Sequence, residues 1–106
     1  MKNLKKPYKR LVIEGEYCNF QNFYEINKKL IYDSIYETFN GFIYEDTKNL
    51  TLFVSTKIEN VQWETEFVFK RKDHPILKKE LMPYYESVED YEMCEKLVKL
   101  HNYFEN

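Results

Sequence analysis

Two cysteines and two histidines are the side chains best equipped for covalent or metal chemistry in this chain of 106 residues. Cys18 falls just ahead of a helical pattern, where a helix dipole can depress a thiol pKa. A cysteine nucleophile also needs an imidazole base, and only His74 and His101 could supply one. No local signature joins Cys18 to either. Cys94 and His101 share the apolar stripe of a C-terminal helix, which predicts a core thiol and a satisfied, partly buried imidazole. His74, in Asp73-His74-Pro75, reads as a turn or capping residue. The cysteines lie far apart with no CxxC pair, so the spacing offers no zinc site, and free thiols are expected.

Carboxylates pair at Glu14/Glu16, Glu45/Asp46 and Glu64/Glu66. Glu64 and Glu66, two apart on a strand, point the same way, with Lys70 on the same side. A metal-dependent nuclease uses such acids beside a lysine. Their neighbours here are Thr, Ser, Gln and Lys, the composition of a solvent-facing strand surface. The two glycines, Gly15 and Gly41, cannot make a phosphate-binding loop, and neither GxSxG nor HExxH occurs. The sequence therefore predicts no enzyme, no cofactor and no metal.

The elements that must position these residues follow from periodicity. Tyr8 to Glu14 predicts a strand closed by Gly15. Asn19 suits a helix N-cap, and Phe20, Phe23, Tyr24, Ile26, Leu30, Ile31, Ile35 and Phe39 trace one long helix. Asn40-Gly41 should end it through a left-handed glycine. Phe42 to Asp46 predicts a short strand. Leu50 to Ile58 and Val61 to Phe69 then alternate as a hairpin about Glu59-Asn60. In that register Ile58 opposes Val61, Thr56 opposes Trp63, Val54 opposes Thr65, Leu52 opposes Phe67 and Leu50 opposes Phe69, all on the core face. Leu77 and Leu81 suggest a helical turn or two ended by Pro83. Ser87-Val88-Glu89-Asp90 resembles a capping box opening a last helix, with stripe Tyr91, Cys94, Leu97, Val98, His101 and Phe104. The predicted fold is α+β: a small antiparallel sheet in β-α-β-β-β-α order with two long helices packed on one face. One domain should span residues 1–106, with 1–6 a flexible basic tail.

Composition narrows the function classes. Apolar and aromatic residues make 43% of the chain and charged ones 32%, as in a soluble globular domain. No apolar run approaches the ~20 residues of a membrane helix, and Glu14 directly after Ile13 prevents a signal-peptide apolar region. A cytoplasmic location without membrane attachment is expected. Lys outnumbers Arg 14 to 2 and alanine is absent, which points to an AT-rich genome such as that of a low-GC bacterium, its phage or a mobile element. The ten Tyr and eight Phe must then fill volume that Ala and Leu usually fill, giving a coarse aromatic core.

The helix-strand-strand-strand-helix order over about residues 19–105 resembles a double-stranded RNA-binding domain, in element order alone. That family carries basic residues where its last helix begins. Glu89, Asp90, Glu92 and Glu95 stand there in this sequence, so no functional residue carries over.

Two candidate surfaces remain. On the outer sheet face, Phe53 and Val68 interrupt a polar set that includes Glu64 and Glu66, and Phe42 and Tyr44 could join them. Tyr32 and Tyr36, one turn apart, make a second patch on the first helix. An aromatic centre with a charged rim has the anatomy of a protein interface. The leading expectation is thus a non-enzymatic module that occupies a surface of another protein, such as a phage or mobile-element inhibitor of host defence, or an immunity protein. The competing explanation is that a terminus or a second copy of the chain covers both patches, a homodimer through the outer sheet face being one version of it. The alternative is nucleic-acid binding through basic segments 2–10 and 70–79, with Lys70, Arg71, Lys72, Lys78 and Lys79 as contacts.

Overall fold

The computed structural model describes residues 8–106, so the basic tail expected at 1–6 lies outside the described residues. Strand β1 (Lys9–Val12) leads to helix α1 (Phe20–Ile26) and helix α2 (Lys28–Gly41). Strands β2 (Asn49–Ile58) and β3 (Val61–Lys70) form a hairpin. A 3-10 turn (Arg71–Asp73), a wide π turn (Leu77–Leu81), helix α3 (Met82–Ser87) and helix α4 (Tyr91–Glu105) complete the order. The fold is α+β, with a three-stranded sheet in the order β1-β2-β3.

The hairpin has the register that its alternation requires: Ile58 pairs with Val61, Thr56 with Trp63 and Leu50 with Phe69. Glu59 (φ 51°) and Asn60 (φ 66°) are both left-handed, the turn that matches the twist of two antiparallel strands. The sheet itself is mixed. β1 runs parallel to β2, with Lys9 opposite Leu52 and Val12 opposite Ser55, because the intervening helices carry the chain back to its starting end.

The single long first helix is interrupted. Asn27 leaves helical geometry (φ −107°, ψ 20°), and its buried side-chain amide donates to the Phe23 carbonyl at 3.0 Å. Asparagine competes with helical hydrogen bonding in this way. Asn19 does cap α1, accepting from the Asn22 N–H at 2.8 Å. The break leaves Phe20, Ile26 and Leu30, assigned to one continuous apolar face, among the exposed apolar residues.

The predicted strand at Phe42–Asp46 is a turn instead. The Tyr44 and Glu45 N–H groups both donate to the Gly41 carbonyl. Gly41 does not take the left-handed conformation expected of it. It is the last residue of α2, and a Cβ there would lie 2.4 Å from Cζ of the Tyr8 ring. With three strands among the described residues and a parallel edge, the antiparallel sheet and the likeness to a double-stranded RNA-binding domain in element order both lapse.

Pro83 does not stop its helix. It stands second in α3, after a π turn in which the Met82 N–H reaches back to the Leu77 carbonyl. Widened winding of this kind accommodates the hydrogen bond that proline cannot donate. Asp90, not Ser87, is the N-cap of α4, accepting from Met93 N–H at 3.1 Å. The Ser87 hydroxyl donates to Tyr84 O at the end of α3. The buried stripe of α4 accordingly runs through Leu97 and Leu100, and Tyr91 and Val98 are exposed.

Helix α2 packs against β1 and β2. Phe39, wholly buried, meets Phe69, Phe42 and Phe104 at ring separations of 5.0, 5.9 and 6.0 Å. Core volume is aromatic, as the composition requires. Cover thins along β3: Phe69 is buried, Phe67 half-buried and Trp63 40% exposed.

Candidate functional site

The uncovered sheet face is built by alternation. Arg10 and Val12 of β1, Phe53 and Lys57 of β2, and Glu64, Glu66 and Val68 of β3 stand on it. The three strands place Arg10, Phe53 and Glu66 side by side in one row. The Arg10 guanidinium lies over the Phe53 ring, 4.3 Å from its centroid. Phe53 is therefore half-covered, and the bare apolar atoms belong to Val12 and Val68, 61% and 51% exposed. Ser55 is buried beneath Gln62, whose amide donates to its hydroxyl at 2.7 Å. Beside it opens a cavity of about 550 Å³, whose lining includes Val12, Ser55, Lys57 and Gln62. On the reverse of β3, Trp63 packs against Phe20 with tilted rings 5.1 Å apart, and both rings stay partly bare.

Four of the eight residues proposed for partner contact thus meet on the outer face: Phe53, Glu64, Glu66 and Val68. Phe42 is buried in the core, carried there because residues 42–46 turn rather than pair. Tyr44 is 75% exposed on that turn, outside the sheet. Tyr32 is buried and Tyr36 half-buried, so they do not make a free patch. The Tyr32 hydroxyl accepts from Tyr24 at 2.9 Å, its ring meets Tyr84 edge-on, and burial pushes its phenol up to about 12.

The basic segments are partly committed inside the fold. Arg71 Nη2 donates to the carbonyls of Phe42 and Glu45 at 2.9 and 3.0 Å, and its Nε donates to that of Thr47. Its guanidinium also lies over the Phe42 ring. Arg71 fastens the turn and is withdrawn from any phosphate. Lys9 is paired with Glu37 at 2.7 Å. Lys70, Lys72, Lys78 and Lys79 are exposed, and no ion pair forms to them among the described residues.

Cys18 is exposed and free. The cavity of about 330 Å³ beside it is lined by Glu16, Tyr17, Glu59 and Asn60 and holds no histidine. Cys94 is half-buried, with its thiol pushed up mainly by burial, which suits packing and not attack.

One constellation escaped the sequence reading. His74, His101 and Glu105 converge where the segment after β3 meets the last turn of α4. His74 Nε2 is 2.5 Å from Glu105 Oε2, and His101 Nε2 is 3.8 Å from the same oxygen. His101 is not the satisfied imidazole expected: its Nδ1 is buried without a partner. Burial, aided by the charge of Lys78, lowers its pKa. The hydrogen bond to His74 holds the Glu105 carboxyl below its ordinary value. His101 and Glu105, one turn apart on one helix, were a visible pair. His74 joins them only through tertiary packing.

No family model, curated protein or solved structure matches the chain. The fold and its surfaces therefore carry the functional reading by themselves. Among the described residues, no helix is long and apolar enough to cross a membrane.

Proposed function

We propose that this protein is a non-enzymatic binding module that works by occupying a surface of another protein. The observation carrying this is the outer face of the sheet, where Val12, the half-covered Phe53 and Val68 run diagonally across the three strands with Arg10, Lys57, Glu64 and Glu66 beside them. Interfaces combine apolar centres with such polar margins. β3 adds ten residues of strand with one edge unpaired among the described residues, an edge onto which a partner strand could add. The cavity beside Ser55 could receive an anchoring side chain. The AT-rich codon signature supports a phage or mobile-element inhibitor, or an immunity protein, acting in the cytoplasm.

The test is affinity capture from the native host, followed by measured binding of the recovered protein. A partner held at near-equal stoichiometry should bind Val68→Arg and Phe53→Glu variants at least about tenfold more weakly, a loss of roughly 1.4 kcal/mol. Circular dichroism should be unchanged. A partner whose affinity ignores both substitutions would end the proposal for this face. Self-association in light scattering, abolished by the same substitutions, would redirect it to a homodimer.

The exposed Lys70, Lys72, Lys78 and Lys79 support a second reading, nucleic-acid binding. Gel shifts over rising salt separate the two, because phosphate contacts weaken steeply with ionic strength.

A further inference from the structure

We propose that His74, His101 and Glu105 form a binding site for a divalent transition-metal ion of the zinc class. His74 Nδ1 lies 3.0 Å from the Arg71 carbonyl. A carbonyl can only accept, so Nδ1 carries a ring proton, which fixes Nε2 as the nitrogen that can give its lone pair to a metal once the proton it shares with Glu105 is displaced. His74 Nε2 and Glu105 Oε2, 2.5 Å apart, are joined by a hydrogen bond. A proton would serve that pair alone. A metal ion would also engage His101, whose Nε2 faces the same oxygen from 3.8 Å.

The dimensions agree with this. Bonds of ~2.0–2.1 Å at the tetrahedral angle set ligand atoms about 3.3 Å apart. The 3.8 Å separation is near that value, and the 2.5 Å pair, now at hydrogen-bond distance, must open by about 0.8 Å to admit the ion. The three ligating atoms lie within 4.8 Å of one another. Glu105 sits half-exposed in the last turn of α4, where its side chain has room to adjust. Two imidazoles and one carboxylate are an established donor set for this class of ion and leave a position open. A cavity of about 420 Å³, lined in part by His74, Arg71 and Lys72, adjoins the site. With the exposed Lys72 in that lining, the fourth ligand should be an anion or water.

Arg71 has a second part in this. Its guanidinium fixes the 42–47 turn and its carbonyl orients His74, the kind of outer support that sets a ligand's tautomer. His101 lacks such support, which weakens the site by about 10–100-fold relative to one with both imidazoles supported.

The test uses the full chain, stripped with chelator and titrated with Zn²⁺ and Co²⁺ near neutral pH. One equivalent should bind, Co²⁺ should give the visible absorption of a four- or five-coordinate ion, and Zn²⁺ should raise the melting midpoint. Glu105→Gln, in an exposed residue that the fold does not need, should weaken binding at least about tenfold, and His74→Gln likewise. Cys18→Ser and Cys94→Ser should leave it unchanged. The proposal is overturned by an absence of saturable binding, by binding that survives Glu105→Gln and His74→Gln, or by binding lost with either cysteine.

Discussion

Arg71 shows how a single side chain can look like one thing in sequence and act as another in the fold. In a basic run it reads as a phosphate contact, yet its donors close on three backbone carbonyls of the 42–47 turn. Charged hydrogen bonds of this kind stabilise more than neutral ones. Arg71→Ala should therefore cost about 2–3 kcal/mol, read from the urea midpoint. Arg71→Lys should recover only part of that, because an ammonium cannot reproduce a planar fork. Tyr85 is a second case. It is wholly buried and its hydroxyl donates to Asp33, and burial together with that bond raises its pKa. An unfolded tyrosine ionises near 10, and the folded phenols of Tyr32 and Tyr85 do so only above that. Their contribution is intact below pH 10 and is lost as pH climbs through the folded values. Melting midpoints should thus fall above about pH 10, and Tyr85→Phe should flatten that fall while removing about 1–2 kcal/mol at neutral pH.

At the level of elements, the hairpin is the part most fully legible in sequence. Its two faces differ so strongly that a slip of one residue would turn Phe67 and Phe69 to the bare side. Its turn chemistry is poor by comparison, with Glu59 and Asn60 both at positive φ. Replacing Glu59-Asn60 by Asn-Gly should stabilise the protein by about 1 kcal/mol, measured by chemical denaturation, by relieving left-handed strain. The first helix was less legible, since apolar spacing continues across Asn27 and periodicity cannot register a local hydrogen-bond competition. Residues 42–46 misled for a related reason. Their strand-like composition is overridden by the turn that Arg71 clamps and by the burial of Phe42. Pro83 likewise reads as a terminator until the π turn ahead of it is seen.

At the scale of the molecule, the described residues form a slab of 46 × 45 × 16 Å. Its radius of gyration, 14.8 Å, exceeds the about 13 Å typical of a compact chain this long, as flattening requires. A slab exposes more face than a sphere would, which is why Trp63, the sole tryptophan, stays 40% accessible on thinly covered β3. Its fluorescence should be red-shifted and open to acrylamide quenching in the free protein, and Phe20→Ala should increase quenching. A partner docking along β3 should shift the emission to shorter wavelength. Emission that is blue and unquenchable in the free chain would contradict this arrangement.

Local physics was decided by the sequence alone. The α+β class, the Asn19 cap, the hairpin register and the aromatic core each depend on neighbours in the chain or on alternation along it. Tertiary structure decided what depends on distant segments meeting: the parallel edge of β1, the burial of Phe42 and Tyr32, the withdrawal of Arg71, and the approach of His74 to His101 and Glu105. Periodicity tells a residue which face of its element it occupies. Only packing tells it whether that face is covered, and by what.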